Sequence, residues 1–278
     1  EGNAIYISQT TNDINITDCN FDDNGLTGSV IANKAKQVCI DTCYIQFKSV
    51  TKACRGINFL SRSFALIRDT HFVNCKTTES VGGGGLYYNN VLGTTDEESL
   101  TIEGCLFNNC QAPNGCALLT WLETPIILRN NLIWHNTNGK FIISVFYNKY
   151  VNETIVEDCY FEHNFFYNDD TNRDGGGSGI WIANGKGLVP SSEVQKLTFA
   201  GCTWRNNTAD AYGGAFSYGR SPTVNGVELE FRDDIFINNT AQKTYGGALY
   251  IITEKPLTIV DCFFDGNFAG GIGGALYF

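Results

Sequence analysis

Apolar and polar positions alternate along this chain in short bursts, and the bursts recur. In "LTIEGC" (Leu100–Cys105) and "LTIVDC" (Leu257–Cys262) apolar side chains fall at every second position and the run then breaks at a turn. A period of two over so few residues predicts a strand with one buried face, and no stretch shows a helical period. After the turn comes Cys-x-aromatic-x-x-Asn. Phe-x-x-Asn occurs at Phe21–Asn24, Phe161–Asn164, Phe236–Asn239 and Phe264–Asn267, with Trp in Trp204–Asn207 and Ile in Ile133–Asn136. Phe72–Cys75 and Phe107–Cys110 carry Cys at the Asn position. A third piece follows a variable loop: "YGGAFSY" (Tyr212–Tyr218), "YGGALYI" (Tyr245–Ile251) and "GGALYF" (Gly273–Phe278).

With Ile45 as a degenerate member, the aromatic positions fall at 21, 45, 72, 107, 133, 161, 204, 236 and 264, at intervals of 24 to 43 residues. Self-similarity at such a period marks a repeat architecture. A leucine-rich repeat needs a Leu ladder and a helical side, and propeller blades need four strands per unit; neither is present. Three short strands per unit predict a single right-handed parallel β-helix of about nine to ten coils over residues 1–278, roughly 45 Å long at the usual strand spacing. The longest interval, Phe161 to Trp204, predicts an insertion loop at 165–178. The chain begins and ends inside repeats, so it reads as a segment of a longer protein.

The repeat assigns roles by position. Phe fills the core. The Gly pair turns a corner, because glycine tolerates positive φ. Asn136, Asn164, Asn207, Asn239 and Asn267 are expected to stack as five rungs joined by side-chain hydrogen bonds. The strand after Gly-Gly is apolar in two successive columns: Ala4, Leu86, Ala117, Ile180, Ala215, Ala248, Ala275, then Ile5, Tyr87, Leu118, Trp181, Phe216, Leu249, Leu276. Successive strand side chains face opposite ways, so the expectation is that the small column faces in. The outward stripe, including Ile5, Trp181, Phe216, Leu249 and Leu276, would then pack on another chain, most simply within a homomeric filament.

The alternation of GGA(I/L) with FxxN resembles the polymorphic membrane protein (Pmp) repeat family of surface proteins. GGA is exact at Gly213–Ala215, Gly246–Ala248 and Gly273–Ala275 and degenerate at Gly2–Ala4, Gly84–Leu86 and Gly115–Ala117. The resemblance covers essentially the whole chain. It implies a β-helical, surface-exposed region used in adhesion, with no catalytic residues to carry over.

Composition narrows the chemistry. The net charge is -10 and no Lys/Arg run occurs, which argues against nucleic acid as a partner. No apolar run approaches the roughly 20 residues of a membrane span. Eleven Cys lack CxxC or zinc spacing. Stacked positions make Cys75–Cys110, Cys19–Cys43 and Cys159–Cys202 disulfide candidates, Cys75–Cys110 first; the bland alternative is buried thiols. Sequons at Asn15, Asn152, Asn206 and Asn238, with the cysteines, predict a secreted or cell-surface glycoprotein. No cofactor is expected. Asp170, Asn172 and Asp174 match the first half of a calcium loop, but Trp181 stands where the bidentate Glu belongs, so a polar insertion is the simpler reading. Asp233 and Asp261, in equivalent slots of neighbouring units, could form the carboxylate pair of a glycosidase. Asp18, Asp69 and Asp158 share that slot, however, and turn duty explains all five. No Gly-His-Gly or Arg-x-Lys pattern of pectin-cleaving β-helices occurs. The reading is a non-catalytic shaft or filament subunit, with a carbohydrate-active enzyme or glycan-binding module as the alternative.

Overall fold

The computed structural model describes residues 4–22, 29–47, 55–59, 64–78, 82–89, 99–113, 115–122, 126–137, 143–147, 153–166, 180–184, 195–218 and 227–278. These residues form an all-β solenoid in which every paired strand is parallel to its neighbours. The apolar-x-apolar runs make one face, as in Leu100–Glu103, Ile126–Arg129 and Glu153–Glu157. The Phe-x-x-Asn strands make a nine-stranded sheet running from Asn20–Asp22 to Phe263–Asp265. On the third face, Arg55–Phe59, Leu86–Asn89, Leu118–Leu122, Ile143–Tyr147 and Ile180–Asn184 stack in that order, and Phe216–Tyr218, Leu249–Ile251 and Leu276–Tyr277 form a separate sheet. The coil count departs slightly from the expected nine to ten. Among the described residues the short strand after the ladder Asn pairs in four coils, as in Thr208–Ala209 and Thr240–Ala241, and single parallel bridges at Lys76, Gln111 and Thr137 occupy the same slot in earlier coils. Phe165–Phe166, at the start of the expected insertion, is one of these strands, while 167–179 lies outside the described residues.

Register confirms the aromatic column. Phe21, Ile45, Phe72, Phe107, Ile133, Phe161, Trp204, Phe236 and Phe264 pair in sequence. Their rings stack nearly parallel where they are neighbours: Phe72 on Phe107 at 4.6 Å, Phe161 on Trp204 at 3.9 Å, Phe236 on Phe264 at 4.7 Å. The expected Asn ladder is present. Asn207 Oδ1 accepts the Asn164 backbone N–H at 3.2 Å and Asn164 Nδ2 at 3.0 Å. Asn207 Nδ2 donates to Asn239 Oδ1 at 3.0 Å and to the Phe161 carbonyl at 2.7 Å. The same four-bond pattern repeats at Asn164 and Asn239, and Asn136 through Asn239 are buried.

The apolar columns after Gly-Gly behave differently from expectation. Phe216 and Leu249 are fully buried and belong to the core, and so are Ala215 and Ala248. The reason lies in the backbone. The Ala248 carbonyl accepts from the N–H of both Ala215 (2.9 Å) and Phe216 (3.0 Å), and the Ala275 carbonyl accepts from both Ala248 and Leu249. Two successive N–H groups aimed at one acceptor bend the strand like a bulge, so alternation is cancelled and two neighbouring side chains face inward. Register also moves two residues: Leu86 and Ile180 align with Leu118 and Ile143, which puts Tyr87 and Trp181 in the next column. The Trp181 side chain lies outside the described residues. Ile5 and Leu276 are only partly buried, but they pack on the core. The first Gly of each pair has positive φ, and a Cβ at Gly213 would fall 2.0 Å from the Phe216 carbonyl oxygen. The second is excluded from bearing a side chain by the next coil: a Cβ at Gly214 would meet Gly247 O at 2.2 Å.

Two predictions follow from this packing. Changing Phe216 and Leu249 together to Asp buries two charges and should abolish the cooperative unfolding transition; folded, soluble single chains would contradict the inward assignment. Asn207→Ala strips acceptors from two buried donors of Asn164 and should lower stability by about 3 kcal/mol in urea titrations; a loss below about 0.5 kcal/mol would mean the ladder bonds are not needed.

Candidate functional site

Each coil turns its first corner at one left-handed residue. Asp18, Thr42, Asp69, Gly104, Asn130, Asp158, Gly201, Asp233 and Asp261 take φ between 43° and 65° there. Asp, Asn and Gly tolerate that conformation best, which explains the recurring acids. Asp233 and Asp261 are exposed turn residues on this ladder.

The residue after the turn faces inward, and this column holds Cys19, Cys43, Thr70, Cys105, Asn131, Cys159, Cys202, Asp234 and Cys262. Its side chains bond between coils. Asn131 Oδ1 accepts the Cys105 N–H at 2.9 Å, and Asn131 Nδ2 donates to the Ile102 carbonyl at 2.9 Å. The thiols act likewise: Cys43 Sγ lies 3.4 Å from Ile16 O, Cys105 Sγ 3.6 Å from Ile67 O and Cys202 Sγ 3.4 Å from Val156 O. Cys110 at the second corner contacts Phe72 O at 3.6 Å. None of the ten described cysteines forms a disulfide. The disulfide candidates Cys75–Cys110, Cys19–Cys43 and Cys159–Cys202 are therefore not bridged. Cys43, Cys110 and Cys202 aim Sγ at a carbonyl of the neighbouring coil, as an amide or hydroxyl does elsewhere in the column, while Cys19 and Cys159 reach a carbonyl two residues back and lie against the Cys43 and Cys202 thiols. Burial raises the thiols of Cys105 and Cys116 to about 12.

The second corner gives the surface its most varied chemistry. Left-handed Asn74, Asn109, His135, His163, Asn206 and Asn238 form a ladder there, each just before an inward Cys or Asn. A concavity at its middle is lined by Asn74, Asn108, Asn109, Trp134, His135, Thr137 and His163. The Trp134 indole stacks on His135 at 4.3 Å, and His135 meets His163 edge-on at 5.3 Å. Asn109 Nδ2 donates to Asn74 Oδ1 at 2.8 Å, and Asn206 Nδ2 lies 3.4 Å from His163 Nε2. Desolvation and then the neighbouring His163 hold His135 below the ordinary histidine value, so the ring is neutral near pH 7. The lining offers an indole, imidazoles, amides and a hydroxyl, and no carboxylate. Sequence reading alone did not single out this concavity. The signal it missed was "WHN" (Trp134–Asn136), which places an outward indole beside the left-handed slot.

Of the sequons, Asn15 and Asn238 are exposed and Asn206 is half-buried; Asn152 lies outside the described residues, as do Asp170, Asn172 and Asp174. Among the described residues no group of three or more His, Cys, Asp or Glu could hold a metal ion, and no helix is long and apolar enough to cross a membrane.

Residues 3–226 match the family model described as right handed beta helix region. The chain belongs to that family and is a right-handed parallel β-helix. Comparison with curated proteins and with solved structures gave no match.

The thiol geometry predicts an order of reactivity. In native protein, iodoacetamide should modify half-buried Cys19, Cys39 and Cys262 first and leave Cys105 and Cys116 untouched until unfolding, as read by peptide mapping. Rapid native labelling of Cys105 would contradict the ladder role.

Proposed function

We propose that the chain is a non-catalytic structural rod of the extracellular space or cell surface, an adhesin-like shaft or filament subunit of the kind the Pmp-type repeat implies. One observation carries this reading: the residue types that would do chemistry are engaged in holding the rod. The acids at the first corner serve as left-handed turns, and the cysteines serve as interior donors. N-linked glycans at Asn15, Asn206 and Asn238 fit their accessible positions. Self-association no longer rests on Phe216 and Leu249. The aromatic surface on that face is the layer of Tyr212, Tyr245, Tyr250 and Tyr277, with Tyr212 on Tyr250 at 4.5 Å and Tyr245 on Tyr277 at 4.8 Å. Copies of the chain would pack laterally there.

A second reading is favoured by the concavity at the second corner. A half-buried indole beside imidazoles and amides suits the apolar face and hydroxyl groups of a neutral saccharide, so the rod would also bind glycans. The two readings and the enzyme alternative separate in one set of assays. Incubated with a panel of plant and microbial polysaccharides, the protein should release no reducing ends. Turnover that is lost in both Asp233→Asn and Asp261→Asn would overturn the non-catalytic reading. Titration with neutral oligosaccharides should quench tryptophan fluorescence, and Trp134→Ala should weaken binding at least tenfold with the fold unchanged. Equal binding by that variant would remove the concavity from the account.

A further inference from the structure

Asp234 is the one carboxylate in the inward column of the first corner, and it is fully buried. Its Oδ1 accepts the Cys202 N–H at 2.7 Å, whereas its Oδ2 is buried without a partner among the described residues. Asn131 fills the same slot three coils earlier and shows what that slot requires. Its acceptor takes the N–H of the coil before, and its donor reaches a carbonyl of that same coil, Ile102. Ile102 pairs with Leu128, three residues before Asn131; Phe199 pairs with Phe231, three residues before Asp234. The register therefore sets the Phe199 carbonyl opposite Asp234 as it sets Ile102 opposite Asn131. An ionised carboxylate has no proton to donate to that carbonyl, and a carboxylic acid has one.

We propose that Asp234 is held as a neutral carboxylic acid that replaces an amide in the interior ladder, so that its Oδ2–H donates to the Phe199 carbonyl and the rod is locked in acid and loosened at this coil when the proton leaves. The inference concerns stability and is independent of the structural and saccharide readings. The groups around Asp234 agree with it. Cys202 lies in the coil before and Cys262 in the coil after, and burial raises both thiols, so neither supplies a charge near pH 7. Asp233, beside it on the corner, adds a like charge that disfavours ionisation. Arg232, two residues away, is paired with Glu230 on the outer surface. Burial first, then the Asp233 charge, raises Asp234 to about 7 against the backbone hydrogen bonds and the Cys202 side-chain hydrogen bond that oppose it.

The sign follows from linkage. In the unfolded chain this carboxyl ionises near 3.8, while in the rod it keeps its proton to about 7. Its stabilising contribution is whole below the lower value. It is lost as pH rises toward the upper one, by close to tenfold in the folded-to-unfolded ratio per pH unit. Asp234→Asn keeps acceptor and donor and removes the titration. Urea unfolding from pH 5 to pH 8 should show wild type losing stability relative to this variant with a slope near one proton up to about pH 7, then no further change. Asn131→Asp should introduce the same slope at the second place. In wild-type protein labelled at the aspartate carboxyl carbon, the Asp234 resonance should titrate with a midpoint well above the ordinary carboxylate value of 3.8. A midpoint in the ordinary carboxylate range, or parallel pH curves for wild type and Asp234→Asn, would overturn the proposal; the resonance decides the matter even if a variant fails to fold.

Discussion

The buried amide ladder is the constraint on which the rest of this rod depends. A coil must turn inside the protein, and at the turn its backbone groups leave the strand ladder and need new partners. Burying an unpaired donor or acceptor costs about 1–3 kcal/mol, and a solenoid repeats that cost at every coil. Asn meets it with one side chain. Each amide between Asn136 and Asn239 joins the coils before and after it. The residue just before each amide must be left-handed to aim it inward, and this fixes the surface slot taken by Asn, His or Gly. The outer chemistry of the second corner thus follows from the inner hydrogen bonds.

The first corner solves the same problem with a looser alphabet. Thiol, hydroxyl, amide and carboxyl groups all appear in its inward column. Each can accept from the backbone of one coil and, when it carries a proton, donate to that of another. This explains why the described cysteines are many and unbridged, since a thiol is small, tolerates an apolar interior and still serves as a weak donor. It also makes the column sensitive to what occupies it, because a carboxyl fits only with its proton.

Much of the architecture was legible in the sequence because side chains that stack on their own kind leave a periodic trace. The Phe and Asn columns have one residue per coil and one role, and pairing reproduced them in register from Phe21 to Phe264. What failed was inference across a corner. Alternation of faces is a rule of extended strands, and the shared acceptors at Ala248 and Ala275 suspend it where Gly-Gly ends. Phe216 and Leu249 were accordingly placed outside when they form the core. The disulfide candidates stand unbridged in this structure: adjacency of slots was visible, whereas the direction of Sγ at Cys43 and Cys110 depends on main-chain carbonyls of the neighbouring coil. The Trp134 concavity draws on four coils at once, and no single repeat announces it.

Amide hydrogen exchange measured residue by residue in the native state tests the account most directly. If the interior ladder holds the coils together, the backbone N–H groups of Asn136, Asn164, Asn207 and Asn239, each donating to the next Asn Oδ1 at 3.0–3.2 Å, open only when the whole rod unfolds. Their exchange free energies should then equal the global unfolding free energy and exceed those of outward positions such as Thr203 and Ile235. Exchange of the ladder amides at or below the level of those outward strand positions would contradict the claim that this interaction sets the fold.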